Sequence, residues 1–307
     1  MRLLFLGAGA VGGYFGGRLA EAGQDVTFLV RAKRQQQLAD GLKIDSPMGD
    51  AVIPLRTILS GDATDETFDL IVLTSKAYGL DGALDGIAPY VREGTTILPL
   101  LNGLAHLSQI EARFPDAVVL GGVAQIPAEL TPDGTVLHKG KLAGLIVGPR
   151  PGQESSEALA QDFVDLSAQA GIAARFSRNP MQDMWDKWIY LCTLAAATTL
   201  CRADVGAILR TQNGAMLLNG LLDECTAVAT AEGYPPAAKK MEGYREQLSD
   251  RDSKWSASMR VDLERGNPTE ADHILGQMIA RAQNHGLACP LLRTCYTPLQ
   301  VYEGSRT

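Results

Sequence analysis

Apolar runs alternate with helix-like stretches through the first half of the chain. Each run is continuous instead of alternating with polar residues, which is typical of parallel strands covered on both faces. Strands of this kind, separated by helices of about ten residues, predict an α/β fold with a doubly wound parallel sheet. The predicted strands are residues 3–6, 26–30, 68–73, 96–101 and 117–120.

A glycine-rich turn follows the first predicted strand and opens a helix-like stretch over residues 14–21. Glycines at such a place allow a tight turn, close approach of the backbone to a pyrophosphate, and close packing of helix on strand. A second strand follows at the expected distance, which favours a dinucleotide-binding site over a chance turn. This glycine turn comprises Gly7, Ala8, Gly9, Ala10, Val11 and Gly12.

The end of the second strand indicates which dinucleotide binds. NAD sites carry an acidic residue about 20 residues past the glycines, whereas NADP sites carry Arg or Lys nearby. Here Arg31 follows the strand, Lys33 and Arg34 come next, and no acidic residue lies between positions 26 and 37. A forked guanidinium suits a 2′-phosphate, so we predict NADP(H) as cofactor. The alternative is a solvated basic start of a helix.

The pattern changes along the remaining chain. Residues 121–148 predict short strands with a hairpin turn at 132–134, and residues 155–170 and 172–176 predict a helix and a closing strand. Beyond residue 179 the sequence predicts an all-helical domain, with helices over 181–199, 214–232, 237–248, 255–264, 269–285 and 292–303. We therefore expect a Rossmann-type domain over 1–178 and a helical substrate domain over 179–307.

Composition limits the kinds of partner. With 35 acidic against 28 basic residues and a net charge of −7, neither nucleic acid nor a membrane surface is expected to bind. The five cysteines form no CxxC pair, which favours reduced thiols in the cytoplasm. The first apolar run is too short for a signal peptide, and the stretch 188–200 is too short to cross a bilayer. The oligomeric state, including a homodimer, stays open.

Two polar residues stand where predicted strands end. Ligands of doubly wound sheets bind at the carboxyl ends of strands, and Lys76 and Asn102 occupy such positions. Lys76 could contact an anionic group, or it could be a solvated lysine at the start of a helix. Asn102 precedes Gly103, and Asn-Gly is also a common turn sequence.

A lysine on an apolar helix face is the clearest candidate for proton transfer. On a helix Lys187 shares a face with Met184, Tyr190 and Leu191. Desolvation there would lower the pKa of the ammonium group toward the value of a general acid near neutrality. The alternative is a lysine whose stem covers apolar surface while its charge reaches water.

Farther along, Thr269 could cap a helix whose first turn contains Glu270, where a carboxylate is favoured by the helix dipole. That local role would by itself explain Glu270. The four histidines lack metal-ligand spacing, so no metal site is predicted.

Together these residues resemble the ketopantoate reductase (2-dehydropantoate 2-reductase) family over the whole chain. The resemblance is carried by the order and spacing of short motifs. They are the glycine turn, Arg31, Ser75-Lys76-Ala77, Asn102-Gly103, Trp185-Asp186-Lys187, Ser258-Met259 with Asp262, Gly266 and Thr269-Glu270.

The resemblance implies a fold and an activity. It implies a Rossmann-type domain joined to a helical domain like the C-terminal domain of 6-phosphogluconate dehydrogenases. It also implies NADPH-dependent reduction of a 2-oxo acid, by default 2-dehydropantoate to pantoate in pantothenate biosynthesis. Lys187 would donate the proton and Glu270 would contact that lysine, the cofactor or the substrate hydroxyl. Lys76 and Asn102 would lie near nicotinamide and substrate, and Ser258 would help hold the substrate carboxylate.

The sequence departs from the family pattern at three positions. Leu191 and Ala195 stand four and eight residues after the lysine, where the family carries asparagines, and Trp255 stands where asparagine is usual. Losing these amides removes hydrogen bonds to a hydroxylated substrate, so a more apolar 2-oxo acid is an alternative, with Leu191 in the substrate site. Two other readings stay open: reduction of an imine, as in opine-forming dehydrogenases, and a non-catalytic NADP(H) sensor.

Overall fold

A computed structural model of the chain describes residues 1–62 and 65–306. The chain forms two compact units, Met1–Asp183 and Met184–Thr307. The division falls inside a helix that begins at Pro180, so the assignment of functional domains to 1–178 and 179–307 stays a prediction. The α/β fold class predicted from the sequence is confirmed.

The first unit alternates strands with helices along the chain. Its elements are β1 (Arg2–Leu6), α1 (Ala10–Glu21), β2 (Asp25–Val30), α2 (Ala32–Gln37), β3 (Leu42–Asp45), β4 (Ala51–Ile53), β5 (Arg56–Leu59), β6 (Leu70–Leu73), α3 (Leu80–Ile87), β7 (Thr96–Pro99), α4 (Ala105–Arg113), β8 (Val118–Val119), β9 (Gly121–Gln125), β10 (Ala128–Leu130), β11 (Val136–His138), β12 (Gly144–Gly148), α5 (Glu157–Gln169) and β13 (Ala173–Phe176).

The principal sheet is parallel and has six strands in the order β5-β2-β1-β6-β7-β8. Its strands are buried along most of their length, with Leu3, Phe5 and Phe28 fully enclosed, because helices cover both faces of such a sheet. The sheet order places β1, β6 and β7 side by side, and because they are parallel, the residues that follow these three strands lie at the carboxyl edge of the sheet.

Two smaller sheets complete the first unit. One has the order β10-β11-β3-β4 and the other β13-β12-β9. The hairpin turn predicted at 132–134 is confirmed, because β10 and β11 pair antiparallel around it. Val136 of this hairpin is fully buried and would meet a Cβ added at Gly13 of α1 at 2.9 Å, which shows how closely the hairpin packs on the helix.

The second unit is helical, and α6 enters it from the first unit. Trp185, Trp188 and Ile189 of α6 are at most 1 % exposed and form the centre of its core. No helix of the described residues is long and apolar enough to cross a membrane. The helices are α6 (Pro180–Cys201), α7 (Val205–Leu209), α8 (Gly214–Ala231), α9 (Ala238–Gln247), α10 (Ser258–Glu264), α11 (Gln277–Asn284) and α12 (Pro290–Gly304).

Two helix starts differ from the sequence prediction. The helix expected from position 255 begins at Ser258, because the backbone at 253–255 instead binds the start of α7 through Val205 N–H to Trp255 O, 3.0 Å. The helix expected from Thr269 begins at Ala271 and opens with a π-helical turn, Asp272–Gly276, before α11. We call this segment the π-turn.

Candidate active site

The glycine turn has the backbone shape that its sequence predicts. Gly7 has φ +90°, a conformation that favours glycine. A Cβ at Gly12 would lie 2.3 Å from both the Gly7 carbonyl oxygen and Thr74 Oγ1, so only glycine lets α1 approach β1 and β6 this closely. A Cβ at Gly9 would meet nothing within 4 Å, so the start of α1 is open above this residue. Open space at a helix N-terminus fits a pyrophosphate group.

The basic residues after β2 differ in exposure: two are exposed and one binds the backbone of the first unit. Arg31 is exposed at the N-cap of α2, and Lys33 is exposed beside it. Arg34 turns inward: its Nε donates to Ala8 O and its Nη1 to Gly134 O, both at 2.8 Å. Burial lowers the pKa of the Arg34 guanidinium. Arg34 therefore ties the glycine turn to the β10–β11 hairpin, and Arg31 is the exposed guanidinium that could meet a 2′-phosphate.

Lys76 and Asn102 follow neighbouring strands at the carboxyl edge of the principal sheet, where the glycine turn also lies. Leu100 N–H donates to Leu73 O at 2.9 Å and continues the pairing of β6 and β7 up to these residues. Both side chains are part-buried. Next to Lys76, Ser75 Oγ is buried without a hydrogen-bond partner among the described residues, which is unusual for a buried hydroxyl group.

In the second unit, Lys187 and Glu270 interact electrostatically. Lys187 is part-buried on α6, and Glu270 is only 6 % exposed at the start of the π-turn helix. Desolvation by burial lowers the pKa of Lys187 from 10.5 to about 8, against an opposing rise from the Glu270 carboxylate. An ammonium group with a pKa of about 8 holds its proton at neutrality and can release it to a developing alkoxide.

Side chains from α12 hold the backbone next to Glu270. Glu303 Oε1 accepts from the backbone N–H and the hydroxyl group of Thr269 at 2.7 and 2.6 Å. The predicted cap is not formed, because the helix begins at Ala271 and Glu270 precedes its first turn; Thr269 Oγ1 only accepts from Ala271 N–H at 3.4 Å. Sequence reasoning missed Glu303, because nothing local links it to a residue 34 positions earlier.

The remaining candidates differ in exposure. Leu191 is part-buried one helical turn after Lys187, whereas Ala195 is fully buried and presents no surface to a ligand. Ser258 is exposed at the first residue of α10, next to Ala257, whose N–H donates to Thr198 Oγ1 at 3.2 Å. Trp255 is 48 % exposed.

His138 and His285 make contacts that fit structural roles. His138 contacts Ser46 Oγ at 2.9 Å and Leu142 O at 3.0 Å, and His285 contacts Glu232 at 3.0 Å. Residues 1–62 and 65–306 contain no group of three or more His, Cys, Asp or Glu side chains that could hold a metal ion.

A Rossmann-type sheet with its glycine turn, followed by a helical unit carrying a lysine–carboxylate pair, is the arrangement of two-part oxidoreductases. Family models agree: "Ketopantoate reductase PanE/ApbA" matches residues 3–152, and its C-terminal model matches residues 179–303. The chain belongs to the ketopantoate reductase family.

Similar proteins span the full length of the chain. An uncharacterized oxidoreductase, YkpB of Bacillus subtilis (strain 168), is 36% identical and covers 100% of both chains. A 2-dehydropantoate 2-reductase of Halobacterium salinarum is 28% identical over 96% of each chain.

Solved structures show the same fold. A PanE/ApbA family ketopantoate reductase from Ralstonia eutropha JMP134 superimposes with a TM-score of 0.88, at 25% identity over 99% of each chain. A D-mandelate dehydrogenase solved with NADH and anilino(oxo)acetate has the same TM-score at 24% identity over 99% of each chain. The likeness to this dehydrogenase shows the shared fold.

Proposed function

We propose that the protein reduces a 2-oxo acid to a 2-hydroxy acid with NADPH. The observation that carries this proposal is the Lys187–Glu270 pair, which places an ammonium group with a pKa of about 8 beside a carboxylate. Family membership supports a nicotinamide cofactor, and the glycine turn and exposed Arg31 support the phosphate-bearing form. The family resemblance gives 2-dehydropantoate as the default substrate, which would place the enzyme in pantothenate biosynthesis in the cytoplasm; a 2-oxo acid without a hydroxyl group is the alternative that Leu191 favours.

The roles of the protein groups follow from the charge that develops during reduction. NADPH supplies a hydride to the carbonyl carbon when bound, and negative charge then grows on the carbonyl oxygen. The Lys187 ammonium group stabilises that charge and donates its proton to the oxygen. Glu270 keeps the lysine protonated before the reaction, because a nearby carboxylate favours the charged form.

Other candidate residues bind and orient. Lys76 and Asn102 are proposed to contact nicotinamide and substrate from the carboxyl edge of the sheet, where Ser75 offers a further hydroxyl group. Ser258 is proposed to hold the substrate carboxylate from the start of α10.

Leu191 favours a substrate more apolar than ketopantoate. Its side chain is part-exposed one turn from Lys187, where the family resemblance implies an asparagine. An amide there could bond to a substrate hydroxyl group, whereas leucine offers only apolar contact. Ala195 is buried, so Leu191 carries this part of the proposal.

An NADPH-oxidation screen tests the proposal. Purified protein is assayed with 2-oxo acids that differ in hydroxyl content, each with and without ammonia or a primary amine. We expect oxidation without amine, with the highest kcat/KM for an acid lacking a hydroxyl group. An absolute requirement for amine would assign imine reduction instead, and tight NADPH binding with no turnover across the panel would assign a sensor.

A further inference from the structure

The π-turn controls where the backbone of Glu270 lies. Glu270 directly precedes the helix that opens with this turn, and Glu270 O accepts from Ile274 N–H at 2.9 Å. π-Helical turns are rare, occur mostly as single turns inside α-helices, and are frequent at functional sites. The position of the Glu270 carboxylate therefore depends on groups that hold the π-turn in place.

Two side chains of α6 bind the π-turn from inside the core. Trp188 Nε1 donates to Ile274 O at 3.1 Å, and Cys192 Sγ contacts the same oxygen at 3.5 Å. Both side chains are at most 1 % exposed. Trp188 is the residue directly after Lys187, so one stretch of α6 carries the candidate acid and also anchors the segment that carries its carboxylate partner.

A side chain of α12 holds the outer side of the same turn. Tyr296 Oη donates to Asp272 Oδ1 at 2.5 Å. A Cβ at Gly276 would lie 2.8 Å from that hydroxyl oxygen, so tyrosine and turn pack against each other closely. The π-turn is thus bound on both sides, and of the two side chains that bind Ile274 O the indole N–H of Trp188 is a stronger donor than the thiol of Cys192.

We propose that Trp188 is a positioning residue, whose indole hydrogen bond to Ile274 O sets the π-turn so that Glu270 lies against Lys187. The inference rests on the proposed role of Lys187 as proton donor, and it adds a residue that acts through another. Trp188 itself would have no contact with the reacting atoms in this role.

Removing the indole N–H should weaken the attraction between Glu270 and Lys187. Ile274 O would lose its stronger side-chain donor and keep the weak thiol contact, and the turn could relax toward regular α-helix, which would displace Glu270. Coulomb attraction falls with distance, so the ammonium group would be less stabilised. The pKa of Lys187, about 8 in the native protein, should then fall.

Other ionisable groups surround α6 and the π-turn, and a change of Trp188 to phenylalanine alters none of their charges. Burial raises the pKa of the Cys192 thiol well above its ordinary value and that of Tyr190 to about 12, so both stay neutral near pH 8. Further charged or titratable neighbours include Asp186 with Lys240, Asp272 with Tyr296, His273, Tyr244, the thiols of Cys225, Cys289 and Cys295 beside Cys192, and Arg281, whose guanidinium lies 5.8 Å from the Trp188 ring centre.

Competitive acetylation with acetic anhydride, read by mass spectrometry, measures the pKa of Lys187 without any substrate. Trp188→Phe should lower that pKa by about half a pH unit or more, and Glu270→Gln by about one unit or more. Trp188→Phe combined with Glu270→Gln should show the Glu270→Gln value alone, because the tryptophan acts through the carboxylate. If Trp188→Phe lowers the pKa of Lys187 in the Glu270→Gln background as much as in the native protein, the proposal is overturned.

Trp185→Phe is the matched control, since its ring lies 4.9 Å from that of Trp188 and packs on Tyr234 in the same core. It should leave the pKa of Lys187 unchanged, and a fall equal to that of Trp188→Phe would refute a specific role for the indole N–H. If Trp188→Phe does not fold, benzothienylalanine at position 188 keeps the two-ring shape without the N–H. The same fall in pKa is then expected, and an unchanged pKa would refute the proposal.

The test of Trp188 can be distinguished from the test of the proposed function. If Lys187→Ala loses turnover but Trp188→Phe leaves the pKa of Lys187 unchanged, only the positioning role of Trp188 is refuted. Normal turnover in Lys187→Ala would refute the role of Lys187 as proton donor. The acetylation experiment would still test whether Trp188 sets the Glu270–Lys187 interaction.

Discussion

We expect Lys187 to lower the free energy of unfolding of the native protein, so replacing it with methionine should raise that free energy. Methionine keeps a flexible stem of similar length and removes the charge. Burial lowers the pKa of the ammonium group from 10.5 to about 8. The folded state therefore binds the proton less tightly than the unfolded state, and holding the charged form in the fold is unfavourable below pH 8.

The size of this stability difference follows from the ordinary and the folded-state pKa of Lys187. At about 1.4 kcal/mol per pH unit, the gap between 10.5 and about 8 corresponds to about 3 kcal/mol. Below pH 8 the penalty is fully present, between pH 8 and 10.5 it declines, and above 10.5 it is absent because the lysine is neutral in both states. Lys187→Met should thus gain up to about 3 kcal/mol over the native protein at pH 7, and this gain should shrink as pH rises.

Denaturant unfolding at pH 7, 8, 9 and 10 measures the difference in free energy of unfolding between Lys187→Met and the native protein. Taking the difference cancels the titration of groups that do not interact with Lys187. Lys239→Met on exposed α9 surface is the control, and its difference should vary little with pH. A Lys187→Met difference that stays flat from pH 7 to 10 would refute the assigned pKa.

Four further predictions concern activity and cofactor choice. Arg31→Ala should weaken NADPH far more than NADH in binding titrations, and equal losses would contradict the phosphate assignment. Lys187→Ala should lower kcat by about 10²-fold or more with cofactor affinity kept; near-normal kcat would remove the lysine from the mechanism. In the native enzyme kcat/KM should fall as pH rises through about 8, where Lys187 loses its proton. Leu191→Asn should raise kcat/KM for hydroxylated 2-oxo acids relative to apolar ones, and an unchanged ratio would argue against Leu191 as a selector.

Local patterns were enough to predict the sheet, the glycine turn and the β10–β11 hairpin. Continuous apolar runs, a glycine spacing that a helix start requires, and a Pro-Asp-Gly turn all depend on backbone sterics over a few residues. The same rules also predicted most helices of the second unit, because apolar periodicity and glycine stops are local signals.

Contacts between distant positions decided what the local patterns missed. Arg34 was read as part of a basic cluster, but it bonds to Gly134, 100 residues away. The helix predicted from Thr269 opens with the π-turn, and Trp188, 86 residues earlier than Ile274, donates to the carbonyl oxygen of Ile274 within it. The family pattern singles out Ala195 together with Leu191, but core packing buries Ala195.

The candidate proton donor, Lys187, shows most clearly which properties the sequence determined and which the tertiary structure decided. The sequence by itself determined a lysine on an apolar helix face and a carboxylate near a helix start. Only the tertiary structure decided that this carboxylate acts on this lysine and that burial brings the pKa of the ammonium group to about 8. The physical reason is that desolvation and Coulomb attraction depend on distances in space, which local sequence spacing does not encode.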